Sequence, residues 1–419
     1  MMRHPRTTYS SFAISLPTGL IAFVLVIAFA VAIMSAPAAQ AQTINVLHSF
    51  GGRGDGSAPL ASVTLDRAGN LYGTTNGEGD PGTVYKMTHA AGGWILSTLY
   101  TFNHPNDPAE IYAGVIIGPD GALYGASSSG GQFNLGTVYS LRPPATVCKS
   151  VSCPWTLTTL YSFDGLDGTH PYNGYLVFDA AGNIYGTTSA GGGHVKGTVF
   201  KLTRSGGSWT ESVLYSFTGG DDGGTPINGV VFDSAGNLYG TTSMGGSAGY
   251  GTVYELSPSG GAWTETTLYT FTGGADGANP IGTVAIDAQG NLFGTTPRGG
   301  TGSGTVWELA PSNGDWNFTV LQAIPGPVGN LGPYTTPTVD AAGNVYGTSR
   351  FTGSNHIGEV FQLSPAGGGY TYTSYAFNGT DGYAPYSPVT LDASGNLYGT
   401  TSGGGMNSCD CGVVWEITP

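Results

Sequence analysis

The chain has 419 residues, a formal net charge of −14 and only 9% charged residues. That acidity argues against a nucleic-acid-binding protein, since such proteins present basic patches to phosphate groups. Glycine contributes 72 residues, which alone would suggest a low-complexity chain, but 40% of the residues are apolar and stand in short, regular runs. We therefore expect a folded domain in which glycine marks turns.

The N-terminal segment predicts export. Two arginines and a histidine precede the apolar run Leu20–Met34, and Ala39-Gln40-Ala41 forms an A-x-A cleavage site. Residues 1–41 are therefore predicted to be a signal peptide. We expect a secreted, periplasmic or cell-envelope protein with no membrane span after cleavage. An uncleaved anchor is the alternative, because the apolar run with its upstream residues approaches membrane-spanning length.

From about residue 43 onward, one phrase occurs seven times. It is clearest at residues 233–242, Asp-Ser-Ala-Gly-Asn-Leu-Tyr-Gly-Thr-Thr, followed by Thr-Val-Tyr-Glu-Leu at residues 252–256. Repeats of this length indicate an array or a closed ring. They leave room for one domain, residues 42–419. The glycine after the aromatic residue is Gly73, Gly125, Gly186, Gly240, Gly294, Gly347 and Gly399.

Each unit contains four short strand signals. In the fourth unit they cover residues 227–233, 238–242, 252–256 and 263–271, with glycine-rich turns between them. Bulky residues occupy both faces of these strands, so both faces should be buried. Four-stranded sheets covered on both faces and repeated seven times are typical of a β-propeller. A β-solenoid is the alternative, but it would need shorter rungs and atypical units at both ends.

The first strand of each unit is predicted to be innermost in the ring. Glycine recurs there, at Gly114, Gly174, Gly229 and Gly282, and small residues suit the crowding near the axis. Pro337 and Pro388 also fall in this strand, where an edge strand can spare the N–H group.

The two ends of the repeat predict how the ring closes. The last unit stops at its third strand, residues 413–418, whereas residues 43–50 align with a fourth strand that has no unit before it. We therefore expect the N-terminal strand to pair with residues 413–417 and complete the seventh blade.

Several short sequence motifs recur in the same order, for example at residues 182–188, 197–202 and 214–217. Because of these motifs, residues 43–419 resemble the bacterial GloVer-type tandem repeat, found in exported proteins with various C-terminal anchors. The resemblance implies a repeat protein of the cell surface or envelope without an assigned biochemical function. This chain has no sorting tail after Pro419, which favours release or periplasmic residence.

The loops between units carry an acidic residue before a glycine. These residues are Asp55, Asp167, Asp222, Asp276 and Asp381. A ring of carboxylates could hold Ca²⁺. However, one carboxylate per loop is too few for a cage, and an Asp that bonds its own loop explains the pattern. We expect no cofactor, with Ca²⁺ as the alternative.

Ligand-binding residues are expected where the copies differ, because shared residues are explained by the fold. The loop between second and third strands differs most, and it should share one face of the ring with the Asp-Gly loops. We predict that this loop-rich face binds a carbohydrate or a protein, and that the protein is a monomer. The predicted site residues are Asp167, His170, Asp222, His194, Lys196, Arg298, Arg350 and His356.

Three of these residues are histidines and could in principle bind a metal. His170 and His194 belong to the third unit and His356 to the sixth, across the ring, so we predict no metal site. The recurring tyrosine before the repeat glycine could form an aromatic ladder for sugars. A residue repeated in mid-strand is better explained as part of the core.

Nothing in the sequence assigns a catalytic residue. No Ser-His-Asp order, phosphate-cradling loop or metal-ligand spacing stands out. The innermost strands offer Asn173, Asn228, Thr335 and Ser387, but no charged cluster. A binding module is therefore favoured over the alternatives, a secreted propeller hydrolase or lactonase and a purely structural envelope protein.

Four cysteines are an even count, and export permits disulfides. Cys148 and Cys153 lie between the third and fourth strands of the second unit, whereas Cys409 and Cys411 lie in a second-to-third loop of the seventh. These two kinds of connection emerge on opposite faces of the ring, too far apart for a disulfide. We predict a Cys148–Cys153 bridge, and either a disulfide or two free thiols at Cys409 and Cys411.

Overall fold

Short strands joined by glycine-rich turns build seven antiparallel sheets arranged in a ring. The structure, a computed structural model, describes residues 43–418 except positions 53, 78–80, 145–154, 174, 328 and 330. Within these residues there are 28 β-strands and no helix, so none could cross a membrane as a helix. The chain is a seven-bladed β-propeller, as the repeat predicted.

Each blade contains four strands, numbered here along the chain. Blades 1 and 2 are β2 (Thr64–Leu65), β3 (Leu71–Thr75), β4 (Thr83–Ala90), β5 (Gly93–Thr101), β6 (Ile116–Ile117), β7 (Leu123–Ser127), β8 (Thr137–Arg142) and β9 (Thr156–Ser162). Blades 3 and 4 are β10 (Val177–Phe178), β11 (Ile184–Thr188), β12 (Thr198–Ser205), β13 (Ser208–Ser216), β14 (Val231–Phe232), β15 (Leu238–Thr242), β16 (Thr252–Ser259) and β17 (Ala262–Thr270). Blades 5 and 6 are β18 (Ala285–Ile286), β19 (Leu292–Thr296), β20 (Thr305–Ser312), β21 (Asp315–Ala323), β22 (Thr338–Val339), β23 (Val345–Ser349), β24 (Glu359–Ala366) and β25 (Gly369–Ala376). Blade 7 combines β26 (Thr390–Leu391), β27 (Leu397–Thr401) and β28 (Val413–Thr418) with β1 (Thr43–Ser49).

The first strand is shorter than the sequence predicted. In blade 4 it covers only Val231–Phe232, because residues 227–230 turn toward the axis and meet the neighbouring blade instead. Asn228 there forms a parallel bridge with Asn173 of blade 3. The predicted prolines therefore precede the first strand: Pro337 comes directly before β22, and Pro388 comes shortly before β26.

The third and fourth strands are longer than predicted. In blade 4 they run to Ser259 and restart at Ala262, so only Gly260 and Gly261 form the hairpin turn. Both glycines have positive φ, +59° and +90°. Positive φ at both central residues suits a two-residue turn whose twist matches the strands, so pairing continues to the turn.

The core lies between the blades. The second strand of every blade is buried along its whole length, as at Leu238–Thr242. Apolar clusters join neighbouring blades, for example Tyr185 and Val199 of blade 3 with Leu238 and Tyr254 of blade 4. The fourth strand instead alternates between partly buried and exposed residues, because it forms the outer edge. Burial on both faces is therefore confirmed for the second strand of each blade.

The Gly-Thr-Thr segment of the repeat phrase supports this packing. A Cβ atom at Gly240 would lie 2.4 Å from the Tyr254 hydroxyl, so only glycine lets that ring pack across the strand. Thr241 donates a hydrogen bond of 2.8 Å to the carbonyl of Gly282 in the next blade. The same bond joins Thr74 to Ala113, Thr187 to Asn228, Thr295 to Thr335, Thr348 to Ser387 and Thr400 to Ala61.

The crowding predicted at the axis is confirmed at three of four glycines. A Cβ atom at Gly229 would lie 2.0 Å from the Tyr175 carbonyl oxygen, and one at Gly282 would lie 2.4 Å from the Thr335 carbonyl carbon. At Gly114 the nearest atom would be 3.0 Å away. The fourth, Gly174, lies outside the described residues.

The ring closes as the ends of the repeat predicted. Strand β1 pairs antiparallel with β28, from Thr43 opposite Thr418 to Ser49 opposite Val413. Phe50, which follows β1, is fully buried against blade 1. The N-terminal strand is thus the outer strand of the blade built by the C-terminus.

Candidate functional site

The two predicted aspartates bond their own loops. Asp222 accepts hydrogen bonds from the Thr218 amide at 2.7 Å and from the Tyr215 hydroxyl at 3.0 Å. Asp167 accepts equivalent bonds from the Asp164 amide and the Tyr161 hydroxyl. These carboxylates hold the loops in shape, and the glycine that follows each of them takes a positive φ.

The remaining predicted residues are spread over the loop-rich face. His170 is partly buried and its Nδ1 lies 2.8 Å from Thr169 Oγ1, whereas His194, Lys196, Arg298 and His356 are exposed. In the described part of the chain, no group of three His, Cys, Asp or Glu residues could hold a metal. The structure therefore does not gather the predicted site residues into one constellation.

Arg350 differs from the other predicted residues, because it lines a cavity of about 420 Å³ on the axis of the ring. All seven blades contribute to the wall. Asn76, Arg350 and Ser402 directly follow second strands, so the cavity lies on the loop-rich face. The other lining residues are Leu60, Tyr112, Tyr172, Asn173, Ile227, Ile281, Tyr334 and Tyr386.

The repeat itself directs these side chains to the axis. In six of the seven loops that precede the blades, the residue after a proline lines the cavity, as Tyr386 follows Pro385 and Ile227 follows Pro226. The loop of blade 2 has Asp-Pro in place of Asp-Gly and Ile111 before Tyr112, and the loop of blade 6 has no aspartate. At this position the copies differ in chemistry, since four blades carry tyrosine and three carry leucine or isoleucine.

The tyrosines form two groups on the cavity wall. Tyr112 and Tyr172 stack with ring centroids 4.1 Å apart and planes 17° apart. Tyr334 and Tyr386 meet edge to face, with centroids 5.9 Å apart. The Arg350 guanidinium carbon lies 3.9 Å from the centroid of the Tyr386 ring. The wall therefore has aromatic surfaces on two sides and a cation beside one of them.

A fifth tyrosine narrows the channel below the cavity. Tyr175 of blade 3 reaches Ser62 of blade 1, whose amide donates a hydrogen bond of 2.9 Å to the tyrosine hydroxyl. The space at this level is only about 10 Å³ and is lined by Asn228, Thr335 and Pro388 among others. The cavity thus has a floor, and it is a pocket at the mouth of the ring.

The surroundings of Tyr172 and Tyr334 keep these two pocket tyrosines protonated at neutral pH. Burial, the neighbouring Tyr112 and the Glu110 carboxylate raise the pKa of Tyr172 to about 12, while Arg350 opposes the shift. Burial also raises the pKa of Tyr334, against the charges of Arg350 and Arg298. The hydroxyls of Tyr172 and Tyr334 can therefore donate and accept hydrogen bonds without carrying charge.

Sequence reasoning named Arg350 and Asn173 but missed the tyrosines of the pocket. The available signal was the residue after the loop proline, which is aromatic in some copies of the repeat and aliphatic in others. The tyrosine of the repeat phrase was correctly assigned to the core. Tyr239 is buried in the blade interface, and its hydroxyl donates to Asp233 at 3.3 Å.

Cys409 and Cys411 are not among the residues that line the pocket. Cys409 and Cys411 are joined by a disulfide bond, with Cα atoms 5.2 Å apart. The predicted partners Cys148 and Cys153 lie outside the described residues, so their bridge stays a prediction.

Fold and site together define a seven-bladed β-propeller with a tyrosine-lined pocket at its axial mouth. The sequence profile of the Gloeobacter/Verrucomicrobia repeat matches residues 32–152, 144–331 and 301–419, and the chain belongs to this family. The resemblance seen in the repeat motifs is thereby confirmed.

Other comparisons add little. No curated protein sequence matches the chain. Among solved structures, the chain is similar to an oxidoreductase described as a glucose dehydrogenase from Thermus thermophilus, with 15% identity and a TM-score of 0.40. The match covers 90% of this chain and 100% of the other. Values this low carry no information about activity.

Proposed function

We propose that the protein is a binding module for a saccharide, which it holds in the axial pocket of the loop-rich face. The observation that carries this proposal is the set of four tyrosines around a pocket of about 420 Å³. That volume is within the usual range for small-ligand sites, about 300–1,000 Å³.

Tyrosine suits a sugar because both are amphipathic. One face of a sugar ring presents C–H groups, which pack on an aromatic ring, while the hydroxyls at its edge need hydrogen-bond partners. Asn76 and Asn173 in the wall supply amide groups that both donate and accept. A protein ligand would need to bury roughly 800 Å² of its own surface. This pocket could take only a single inserted side chain of such a ligand.

A binding experiment tests the site with matched variants. Soluble protein would be screened against an array of oligosaccharides, and each hit would be measured by titration calorimetry. We expect Tyr172→Ala and Tyr386→Ala to weaken binding of that hit tenfold or more. Tyr250→Ala is the control, since Tyr250 is exposed on the same face outside the pocket. Equal binding by the pocket variants, or a loss only with Tyr250→Ala, would contradict the proposal.

We also propose that the protein acts outside the cytoplasm. The basis is the apolar run Leu20–Met34 and the Ala39-Gln40-Ala41 cleavage site. Cleavage there would leave β1 intact, since that strand begins at Thr43. N-terminal sequencing of protein recovered from the periplasm or medium should find a chain that begins near Gln42. A cytoplasmic chain that retains its first residues would be the contrary result.

A further inference from the structure

We propose that the saccharide bound in the axial pocket carries a carboxylate, as a uronic acid does, and that Arg350 binds this carboxylate. The inference rests on the proposed saccharide site and specifies its substrate class.

The charge distribution around the pocket supports an acidic ligand. Among the lining residues that the structure describes, Arg350 is the only arginine, lysine or acidic residue. Arg298 lies on the same side, because its charge and that of Arg350 both lower the pKa of Tyr334. The carboxylate of Glu110 acts instead on Tyr172. Among the described residues, the two arginines therefore act on the same side of the mouth, in a chain whose net charge is −14.

The position of Arg350 suits a carboxylate next to a stacked sugar. The central carbon of its guanidinium lies 3.9 Å from the centroid of the Tyr386 ring and 4.4 Å from that of the Phe351 ring. Contact with the two rings restricts where the guanidinium can lie. The planar fork matches the two oxygens of a carboxylate. A sugar ring packed against Tyr386 would bring its substituents beside this fork.

A carboxylate fits this pocket better than a phosphate or sulfate ester. Those groups are commonly bound by several cationic donors or by a helix N-terminus. The described lining offers one guanidinium, and the fold provides no helix among the described residues. A single negative charge also meets less repulsion from the acidic chain than a double charge would.

The test compares disaccharides that differ only at C6. Three matched pairs serve as probes: α-1,4-linked galactobiose and digalacturonate, β-1,4-linked mannobiose and dimannuronate, and cellobiose and β-1,4-linked diglucuronate. Calorimetry at low and high salt would give each affinity. We expect at least one acid to bind about tenfold or more tighter than its neutral partner, and salt to reduce this preference.

Variants assign the preference to one residue. Arg350→Gln should abolish the acid preference, and Arg350→Lys should restore part of it. Arg204→Gln is the control, since it removes the same charge from blade 3 outside the pocket. Thermal melting of each variant would show whether it folds.

The outcomes separate the two proposals. If neutral and acidic partners bind equally, or if Arg350→Gln keeps the preference, the carboxylate assignment is wrong although the saccharide site stands. If no member of any pair binds and the array gives no hit, both proposals fail.

Discussion

At the residue scale, the aspartate that directly follows the first strand in six of the seven blades organises the turn of the repeat phrase. Asp233 accepts hydrogen bonds from the amides of Ala235 and Asn237 at 2.8 Å and 2.9 Å, and its other oxygen accepts from the Asn237 side chain. Gly236 takes a φ of +91°. The asparagine thus serves as a side-chain donor, while glycine alone supplies the left-handed conformation.

Ionisation of the Glu211 carboxyl destabilises the folded state. It lies on the fourth strand of blade 3, at the position held by Leu96 and Leu157 in blades 1 and 2. Burial, together with the charges of Asp167 and Asp164, raises the pKa of Glu211 to about 8. The carboxyl is therefore protonated in the folded chain at pH values where it would ionise in the unfolded chain, whose pKa is near 4.5.

The sign of the effect follows from linkage. Stability contributed by the protonated carboxyl is present below about pH 4.5 and is lost as the pH rises through about 8. We predict that Glu211→Leu raises the denaturation midpoint at pH 8.5 more than at pH 5. Urea titrations at both values would measure this, with Glu211→Gln as the isosteric control. An unchanged pH slope in both variants would contradict the prediction. Stability should still depend on pH to some extent in these variants, because burial also raises the pKa of Glu265 to about 7.

At the element scale, the terminal strand β1 is held as an internal strand would be. Phe50 packs edge to face on Tyr85 of blade 1, with ring centroids 5.3 Å apart, and its amide donates to the Gly412 carbonyl at 3.0 Å. Phe217 has the same environment against Tyr254 in the middle of the chain. The N-terminal strand therefore repeats the contacts of its internal counterparts.

This equivalence gives a quantitative prediction. Phe50→Ala should lower the free energy of unfolding by about 3–5 kcal/mol, because it removes a fully buried aromatic ring. Phe217→Ala should cost a similar amount and is the matched control. Denaturant titration followed by tryptophan fluorescence would compare them. If Phe50→Ala costs far less than Phe217→Ala, the terminal strand is not docked as the structure shows.

At the scale of the whole molecule, the ring has no structural beginning. Seven equivalent sheets surround the axis, and the first and last described strands pair within one blade, where Thr43 lies opposite Thr418. In blade 3 the corresponding third and fourth strands are connected by Gly206 and Gly207, with φ of +58° and +94°. A two-residue glycine turn should therefore connect β28 to β1 without strain.

A circular permutant tests this equivalence. Residue 418 would be joined to residue 43 through Gly-Gly, and the chain would be opened between Gly206 and Gly207. We expect a soluble protein with native strand content by circular dichroism and a melting temperature within a few degrees of the parent domain. The control is a linear chain that lacks residues 43–49, which should aggregate through the exposed edge of β28. A permutant that fails to fold would show that the ring depends on where the chain begins, which contradicts the prediction.

Much of the fold could be read from the sequence because its information is local and repeated. Gly-Asn before Leu-Tyr-Gly-Thr-Thr specifies a turn and a buried strand, and seven copies specify a ring. Residues 43–50 align with a fourth strand that has no unit before it, and this predicted how the ring closes. Boundaries were less accurate, since the pairing of Asn228 with Asn173 of the neighbouring blade shortens the first strand through a contact between separate repeats.

The pocket could not be read in the same way. Tyr112, Tyr172, Tyr334 and Tyr386 are far apart in the chain, and only closure of the ring brings them around one axis. Tyr175 likewise forms the floor by reaching a blade two repeats earlier. The sequence alone determined the strands, their number and their closure, because each depends on neighbouring residues or on counting. The tertiary structure decided which side chains share the mouth of the ring, because that depends on convergence of all seven blades.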